Sequence, residues 1–411
     1  MPLSAGKRLM DEAVLTRRKF IEAGAAALAA GATWAQDDDG FAVHEWGVIS
    51  VPYGGSWGNV RSGDPTLPAF VTTWRKAVDD AIEKWKNEPV MILKPVLYFH
   101  SREPRVVDVR VGVPLGRPAA WHPPASEFGP RPELPIRGGR GLRPQPAEPP
   151  LPETIEPKDG FVQWNRVAIH PEAGLRNEAA EDHWWSTARR GGGAPVAAHG
   201  VVEDFLFYDA LTPVDPKLRI EWHDDRRVTL TADAACEQLT ALCVRDGTPT
   251  GARIRRLDEG QTVELTLGAI DRAAVAENLE ASGLSRAQAD GMARIWEPEF
   301  LRTDGIRVIA SLPRERIEAL LPLTITPAPD RLIRTLLMHV ECLDAAQCAD
   351  VDRWIRELGN DDVETRDRAM ESLRALGPRA EAALRKAYSE SRDLEVRERA
   401  GRLLLGFGVK P

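Results

Sequence analysis

Alternating apolar and polar residues predict short strands along much of the chain. The clearest example is Arg105–Val113, where valines at every second position alternate with Asp108, Arg110 and Gly112. A period of two buries one face of a strand and leaves the other face in water. Many such strands between turn residues indicate a sandwich-like or curled antiparallel sheet. Further strands are predicted at 41–51, 95–100, 160–169, 201–208, 218–222, 227–231, 239–244, 262–267, 306–312, 322–326 and 331–343.

Helical periodicity replaces this alternation in the middle of the chain. An apolar stripe predicts a helix over 67–85, and two more are expected near 271–281 and 285–300. The last of these begins with Ser285 and Gln288 at the positions of a capping box. These helices are predicted to be insertions in the β-rich body.

The chain becomes helical throughout from about residue 346. Four apolar stripes at helical spacing predict two helical hairpins, and Gly377-Pro378 ends the second helix. We therefore predict an α+β protein with a β-rich body over 36–344 and a helical module over 345–411. The body carries an irregular surface insertion at 114–158, because thirteen of those forty-five residues are proline.

The first thirty-five residues have the order of an export signal. The basic stretch around Arg17-Arg18 precedes a weakly apolar Gly/Ala-rich segment and small residues up to Ala35, after which we expect cleavage. Paired arginines followed by Phe20-Ile21 resemble the twin-arginine consensus. The sequence therefore predicts a twin-arginine signal peptide over 1–35 and a periplasmic or secreted protein.

The charge balance and the lengths of the apolar runs argue against two classes of partner, nucleic acids and the membrane interior. The chain has 54 Lys and Arg against 62 Asp and Glu, a net charge of −8. A nucleic-acid binder needs clustered cations to neutralise phosphates, so this balance argues against one. Beyond the signal, no apolar run approaches the roughly eighteen residues of a membrane-spanning helix, so no integral membrane segment is expected after cleavage.

Four cysteines form two local pairs in the sequence, Cys236 with Cys243 and Cys342 with Cys348. An exported chain can oxidise such pairs to disulfides. Free buried thiols are the alternative interpretation. A zinc site is disfavoured, because four-cysteine zinc sites normally space each pair about two to four residues apart.

His44-Glu45-Trp46-Gly47 is the most distinctive motif for chemistry. His44 and Glu45 are neighbours on a predicted strand, so their side chains point to opposite faces and cannot easily hold one metal together. One of them could join His183, Asp182 or Glu203 in a cluster for zinc or for acid–base catalysis. The alternative is structural, with both side chains hydrogen-bonded to neighbouring strands.

Tryptophan supplies a second candidate surface. Trp184-Trp185 follow Asp182-His183 in a polar segment, and with Trp46, Trp57 and Trp121 they could line an aromatic groove that stacks on sugars or other flat ligands. Burial of these rings in the sheet core is the competing interpretation.

The chain resembles a family of exported bacterial proteins that open with Phe-Thr-Val-His-Glu-Trp-Gly-Thr-Phe. Residues 41–50 carry this likeness, which departs at Val48-Ile49, where the family has Thr-Phe. Further matching segments are Pro95–Phe99, Asp182–Trp184, Ala188-Arg189, Glu203, Phe205–Tyr208, Gly305–Arg307, Leu312–Arg314 and Leu321–Pro327. The resemblance covers most of 41–343. It implies export and architecture but supplies no activity.

A second resemblance concerns the helical module. The segment from Leu358 to Pro378 looks like a HEAT-type repeat, with Asp362, Arg366 and Ala369 at matching positions. A solenoid needs roughly three repeats to bury its own core. The two helical hairpins are therefore expected to pack against the β-rich body or to be covered by a capping segment.

These observations define one candidate binding cluster and three hypotheses. The cluster consists of His44, Glu45, Trp46, Asp182, His183, Trp184, Arg189, Glu203 and Tyr208. The first hypothesis is a binding or scaffolding protein of the cell envelope that holds a protein partner. The second is a metal-dependent or acid–base hydrolase that uses His44 or Glu45 with His183 and Glu203. The third is a carbohydrate-binding protein. The sequence identifies no cofactor.

Overall fold

The computed structural model describes residues 40–53, 57–58, 67–74, 95–130 and 159–407. The predicted signal peptide, most of the helix predicted over 67–85 and most of the proline-rich insertion lie outside these ranges. Within them the strands, in chain order, are β1 (Ala42–Pro52), β2 (Trp57–Gly58), β3 (Thr72–Thr73), β4 (Val96–His100), β5 (Arg105–Val113), β6 (Arg117–His122), β7 (Glu127–Gly129), β8 (Gly160–Ile169), β9 (Val196–Ala198), β10 (Val201–Glu203), β11 (Leu206–Pro213), β12 (Leu218–Asp224), β13 (Arg227–Ala232), β14 (Cys236–Arg245), β15 (Thr248–Leu257), β16 (Thr262–Thr266), β17 (Gly268–Ala269), β18 (Gly305–Ser311), β19 (Leu323–Thr326) and β20 (Arg331–Cys342).

The helices of the described chain follow the same order. They are α1 (Trp184–Ala188), α2 (Arg272–Ala281), α3 (Arg286–Glu297), α4 (Arg314–Leu320), α5 (Ala345–Glu357), α6 (Val363–Leu376), α7 (Glu381–Glu390) and α8 (Leu394–Gly406). A single turn of 3-10 helix follows α1, and a π-helical turn extends α3 from Pro298 to Arg302. The prediction of an α+β protein with a β-rich body is confirmed. No helix of the described ranges is long and apolar enough to cross a membrane.

One large sheet organises the body. Its strands lie in the order β17-β15-β14-β18-β20-β1-β4-β11-β6-β3, and β2 pairs with β11. β1 lies near the middle, parallel to β20 and antiparallel to β4. Gly47 allows β1 and β4 to approach closely, because a Cβ there would lie 2.9 Å from Pro95 Cα.

Two smaller sheets cover one face of the large sheet. They have the orders β10-β9-β8-β5-β19, with β7 on β8, and β12-β13-β16. The valines of β5 at alternate positions are buried in the shared core and the residues between them are more exposed, as the alternation predicts. These stacked sheets fit a sandwich-like architecture.

Helices α1, α2 and α3 cover the opposite face of the large sheet. Ser285 and Gln288 form the predicted capping box at the start of α3. Behind it, Met292, Trp296 and Phe300 pack in a second core with residues of β1, β4 and β11. The large sheet therefore has sheets on one side and helices on the other.

The module α5–α8 has a core of its own, built from residues such as Leu358, Leu373, Leu384 and Leu404. The expected end of α6 is confirmed at Gly377, whose φ of 65° suits glycine.

Several local expectations differ from the structure. The strand predicted at 201–208 is divided into β10 and β11, and α4 was not predicted. Residues 114–130, predicted as irregular insertion, contain β6 and β7, because their backbone pairs with β11 and β8. Residues 67–73 include a turn and β3 where a helix was predicted. The strand β15 was missed, because Gly251 and a series of arginines obscure its alternation.

Candidate functional site

Glu45 is held in a fully buried ion pair. It lies opposite Arg334 in the parallel β1–β20 register, and both side chains are almost entirely excluded from solvent. Arg334 Nε donates to Glu45 Oε2. The hydroxyl of Tyr208 donates to Glu45 Oε1 over 2.6 Å. Both carboxylate oxygens are thus used inside the body.

Arg334 has a further hydrogen-bond partner and a second carboxylate nearby. Its Nη2 donates to the backbone oxygen of Leu321 over 2.7 Å, and its Nη1 lies 3.2 Å from Glu318 Oε2. Burial, with the charge of Glu45 nearby, raises the pKa of Tyr208 well above its usual range. A neutral tyrosine that donates to a buried carboxylate stabilises the ion pair, because an unpaired buried charge is costly.

Glu203 is the centre of a second buried cluster on the helix side of the large sheet. Arg189 donates to both of its oxygens, over 2.8 Å from Nε and 2.7 Å from Nη2. Trp185 Nε1 donates to Oε2 over 2.8 Å, and the backbone N–H of Asp204 donates to Oε1. Burial acts to raise the pKa of Glu203, but these donors offset it, so the pKa lies below its ordinary value.

His122 lies beside this carboxylate. Its Nε2 is 3.8 Å from Glu203 Oε2, and its ring packs against Phe70 and Trp185. Burial lowers the pKa of His122 to about 4, with Glu203 opposing and Arg189 reinforcing the shift. His122 is therefore neutral at pH 7. His122 was not predicted as a site residue, because only the pairing of β6 with β11 brings it close to Glu203.

His44 belongs to a third, separate group. Its Nδ1 lies 3.0 Å from Gln288 Oε1, and Gln288 Nε2 lies 3.4 Å from His100 Nε2. The ring centroids of His44 and His100 are 4.4 Å apart. Burial lowers the pKa of His44 despite the hydrogen bond that its Nδ1–H donates to Gln288 Oε1. Burial, reinforced by the neighbouring His44, lowers the pKa of His100 to about 3. These contacts of Gln288 connect the start of α3 to strands β1 and β4 of the large sheet.

His183 and Asp182 take roles at the start of a helix. His183 is the N-cap of α1, where its Nδ1 accepts from the backbone N–H of Trp185 over 3.1 Å. Asp182 is exposed in the preceding turn.

The predicted aromatic groove is not formed by the described tryptophans. Trp46 and Trp121 are 1% and 2% exposed, and Trp184 and Trp185 are 7% and 0% exposed. Trp46, Trp184 and Trp185 pack in the core beneath the helices. The side chain of Trp57 lies outside the described set.

The predicted cluster therefore divides into separate groups. Glu45 and Tyr208 lie together, and so do Arg189 and Glu203, but His44 bonds elsewhere and His183 caps a helix. As expected for neighbours on a strand, His44 and Glu45 have different partners on opposite faces. In the ranges that the structure describes, no three His, Cys, Asp or Glu side chains are grouped to hold a metal.

The cysteines are four free thiols, of which Cys348 alone is exposed. Cys236 and Cys243 are seven residues apart on β14, so about 23 Å of extended strand separates them and no disulfide can join them. Burial raises the pKa of Cys342 to about 12. The structure therefore shows free thiols rather than the two local disulfides.

One row of side chains with catalytic chemistry was not anticipated. Ser50 Oγ lies 3.3 Å from His339 Nδ1, and His339 Nε2 lies 3.6 Å from Glu341 Oε1. Ser50 and His339 are paired across β1 and β20, and Glu341 is two residues further along the same strand face. Only the parallel pairing of β1 with β20 reveals this order of serine, histidine and carboxylate.

Comparison with models of known protein families and with curated proteins finds no match. Function is therefore inferred from the chemistry of these residues.

Proposed function

We propose that the protein is an exported binding or scaffolding protein of the cell envelope whose C-terminal helical module carries the partner surface. The observation that carries the proposal is a contrast in exposure. Most of the predicted site residues of the body, among them Glu45, Glu203 and His44, are buried and bonded internally, whereas Val363 and Leu394 of the module are 55% and 60% exposed. The resemblance of the module to HEAT repeats and the predicted export signal support the same role.

Val363 and Leu394 form one surface, which we call the α6–α8 edge. Each is the first residue of its helix, directly after an aspartate N-cap. The loop before α6 approaches the start of α8, because a Cβ on Gly359 would lie 2.4 Å from Asp393 Oδ2. Across the helices, Arg366 Nε lies 3.8 Å from Glu395 Oε1. Two exposed aliphatic side chains on rigid neighbouring helices suit a protein partner.

Crosslinking in envelope fractions tests this proposal. The full-length chain should give a defined crosslinked adduct, and the double variant Val363→Glu with Leu394→Glu should lose most of it, because two buried charges would oppose docking. Leu175→Glu is the matched control, since Leu175 is 67% exposed on the body. An adduct that persists in the double variant, or after deletion of 346–411, would exclude the α6–α8 edge as the partner surface.

A hydrolase is the second candidate, favoured by the row Ser50, His339 and Glu341 rather than by the residues predicted from sequence. In such a site His339 takes the proton of the Ser50 hydroxyl while Glu341 orients the imidazole. Apo distances in such sites are often longer than in the substrate complex.

A fluorophosphonate probe tests the hydrolase candidate. Attack by Ser50 Oγ forms an oxygen–phosphorus bond, expels fluoride and passes the proton to His339. We expect stoichiometric labelling that Ser50→Ala removes and His339→Gln slows, with thermal unfolding unchanged in Ser50→Ala. An unlabelled native protein would rule this candidate out and leave the scaffold proposal unaffected.

A further inference from the structure

An open groove of about 560 Å³ lies on the β-rich body. It is formed where α4 meets the β11–β12 connection and the β5–β6 turn. Its lining residues are Leu115, Pro213, Val214, Asp215, Lys217, Arg316, Ala319 and Leu320. Most of this lining is apolar, and the volume falls within the roughly 300–1,000 Å³ typical of small-molecule sites.

Arg316 is the chemically distinctive residue of the groove. Its Nη2 donates to the backbone oxygen of Asp215 over 2.5 Å, and its Nη1 donates to that of Pro216 over 3.3 Å. These two bonds fix the guanidinium but leave its charge without a carboxylate within ion-pair distance in the described ranges. Burial lowers the pKa of Arg316, opposed by Cys236 and Asp215, as expected for a partly desolvated cation.

The nearest carboxylate is already engaged. Asp215 Oδ2 lies 2.7 Å from Lys217 Nζ, and its Oδ1 accepts from the backbone N–H of Lys217 over 2.9 Å. The groove therefore has two cations against one paired anion, next to an apolar floor that includes the buried Val214 and the half-exposed Leu115.

We propose that this groove binds an aliphatic carboxylate, with the carboxylate on Arg316 and the alkyl chain along Leu115, Val214 and Leu320. A planar guanidinium with free donors matches a carboxylate in a two-bonded fork. The apolar lining provides the surface that an alkyl chain buries. Charge and shape thus select a molecule that is anionic at one end and apolar along its length.

Calorimetric titration with three probes tests the proposal. Dodecanoate, used below its micelle concentration, should bind with one-to-one stoichiometry. Dodecan-1-ol, which keeps the chain but lacks the charge, should bind at least about tenfold more weakly, because a charge-assisted hydrogen bond is lost. Acetate, which keeps the charge but lacks the chain, should show no binding.

Two variants locate the site. Arg316→Gln should weaken dodecanoate binding by about tenfold or more. Ala319→Trp should also weaken it, because the ring fills the groove while the bonds of Arg316 to the backbone stay, so this variant decides the question if Arg316→Gln folds poorly. Arg392→Gln on the helical module is the control and should bind as the native protein does.

Three results would overturn the proposal. Equal affinity for dodecan-1-ol and dodecanoate would indicate apolar adsorption alone. Unchanged binding in both groove variants would place the ligand elsewhere. No binding of dodecanoate would exclude an aliphatic carboxylate as the ligand.

Discussion

The buried polar residues of the β-rich body and the charged residues at the surface of the helical module differ in how distant their partners are along the chain. In the body, Glu45 pairs with Arg334, 289 residues away, and His44 bonds Gln288, 244 residues away. In the module, Arg399 pairs with Glu395 one helical turn away, and the N-cap aspartates bond the first turn of their own helices.

This difference has energetic consequences. Removing one partner of a buried ion pair costs about 3–5 kcal/mol because the other charge is left unpaired. An exposed pair one turn apart on a helix contributes roughly 0.3–0.5 kcal/mol. Identical residue types therefore matter very differently in the two regions, and only burial distinguishes them.

The largest expected effect is at Glu45. Glu45→Ala leaves Arg334 buried without its main partner and removes the acceptor of Tyr208, so we expect a loss of about 3–5 kcal/mol in the free energy of unfolding. Urea unfolding followed by tryptophan fluorescence measures it. Glu395→Ala in the module is the matched control and should cost below about 1 kcal/mol.

A double variant sharpens the same comparison. Glu45→Gln with Arg334→Met removes both charges, and it should be less destabilised than Glu45→Ala alone. Equal costs for Glu45→Ala and Glu395→Ala would contradict the distinction between the two regions.

The second largest expected effect is a loss of stability at acid pH, which arises from buried histidines of the body. His100 and His122 have folded pKa values of about 3 and about 4, below the ~6.5 of an unfolded histidine. At a pH between the folded pKa and the unfolded pKa, the unfolded chain binds more protons than the folded chain. The contribution of each neutral histidine to the free energy of unfolding is therefore fully present above about pH 6.5 and is lost as the pH falls toward the folded pKa. Each histidine should account for about 2 kcal/mol between pH 7 and pH 5.

His122→Gln tests this pH dependence. Unfolding free energies at pH 7 and pH 5 should differ by about 2 kcal/mol less in this variant than in the native protein. His223→Gln, which changes an exposed histidine, should leave the native difference in place. A His122→Gln variant with the native difference would show that His122 is not neutral in the folded body.

The smallest expected effect is in the module. Asp393 accepts from the backbone N–H groups of Glu395 and Val396 at the start of α8. Asp393→Ala should cost about 1 kcal/mol, and Asp393→Asn should recover most of it because an acceptor is retained. Hydrogen exchange should place the loss in α8 alone. Faster exchange in the strands of the body would contradict the independence of the two regions.

Local features were predicted well because their causes lie within a few residues. The strand at 160–169 is observed with the same bounds, and the capping box of Ser285 and Gln288 is confirmed. The end of α6 at Gly377 is confirmed for the same reason. Hydrophobic period and capping chemistry depend on the nearest neighbours in the chain.

The candidate site could be predicted only in part. Glu45 with Tyr208 and Arg189 with Glu203 were in the predicted set, but Arg334, His122 and Gln288 were missed. Those partners come from β20, β6 and α3. Nothing in the local sequence around Glu45 specifies that β1 runs parallel to β20.

The amino-acid sequence by itself determined the α+β class of the protein, the positions of most strands and helices and the change from a β-rich body to C-terminal helices. Tertiary structure alone decided which charges are buried, which partners neutralise them and that Arg316 has no carboxylate within ion-pair distance among the described residues. The physical reason is that secondary structure depends on short-range periodicity, whereas desolvation and ion pairing depend on strands brought together from distant parts of the chain.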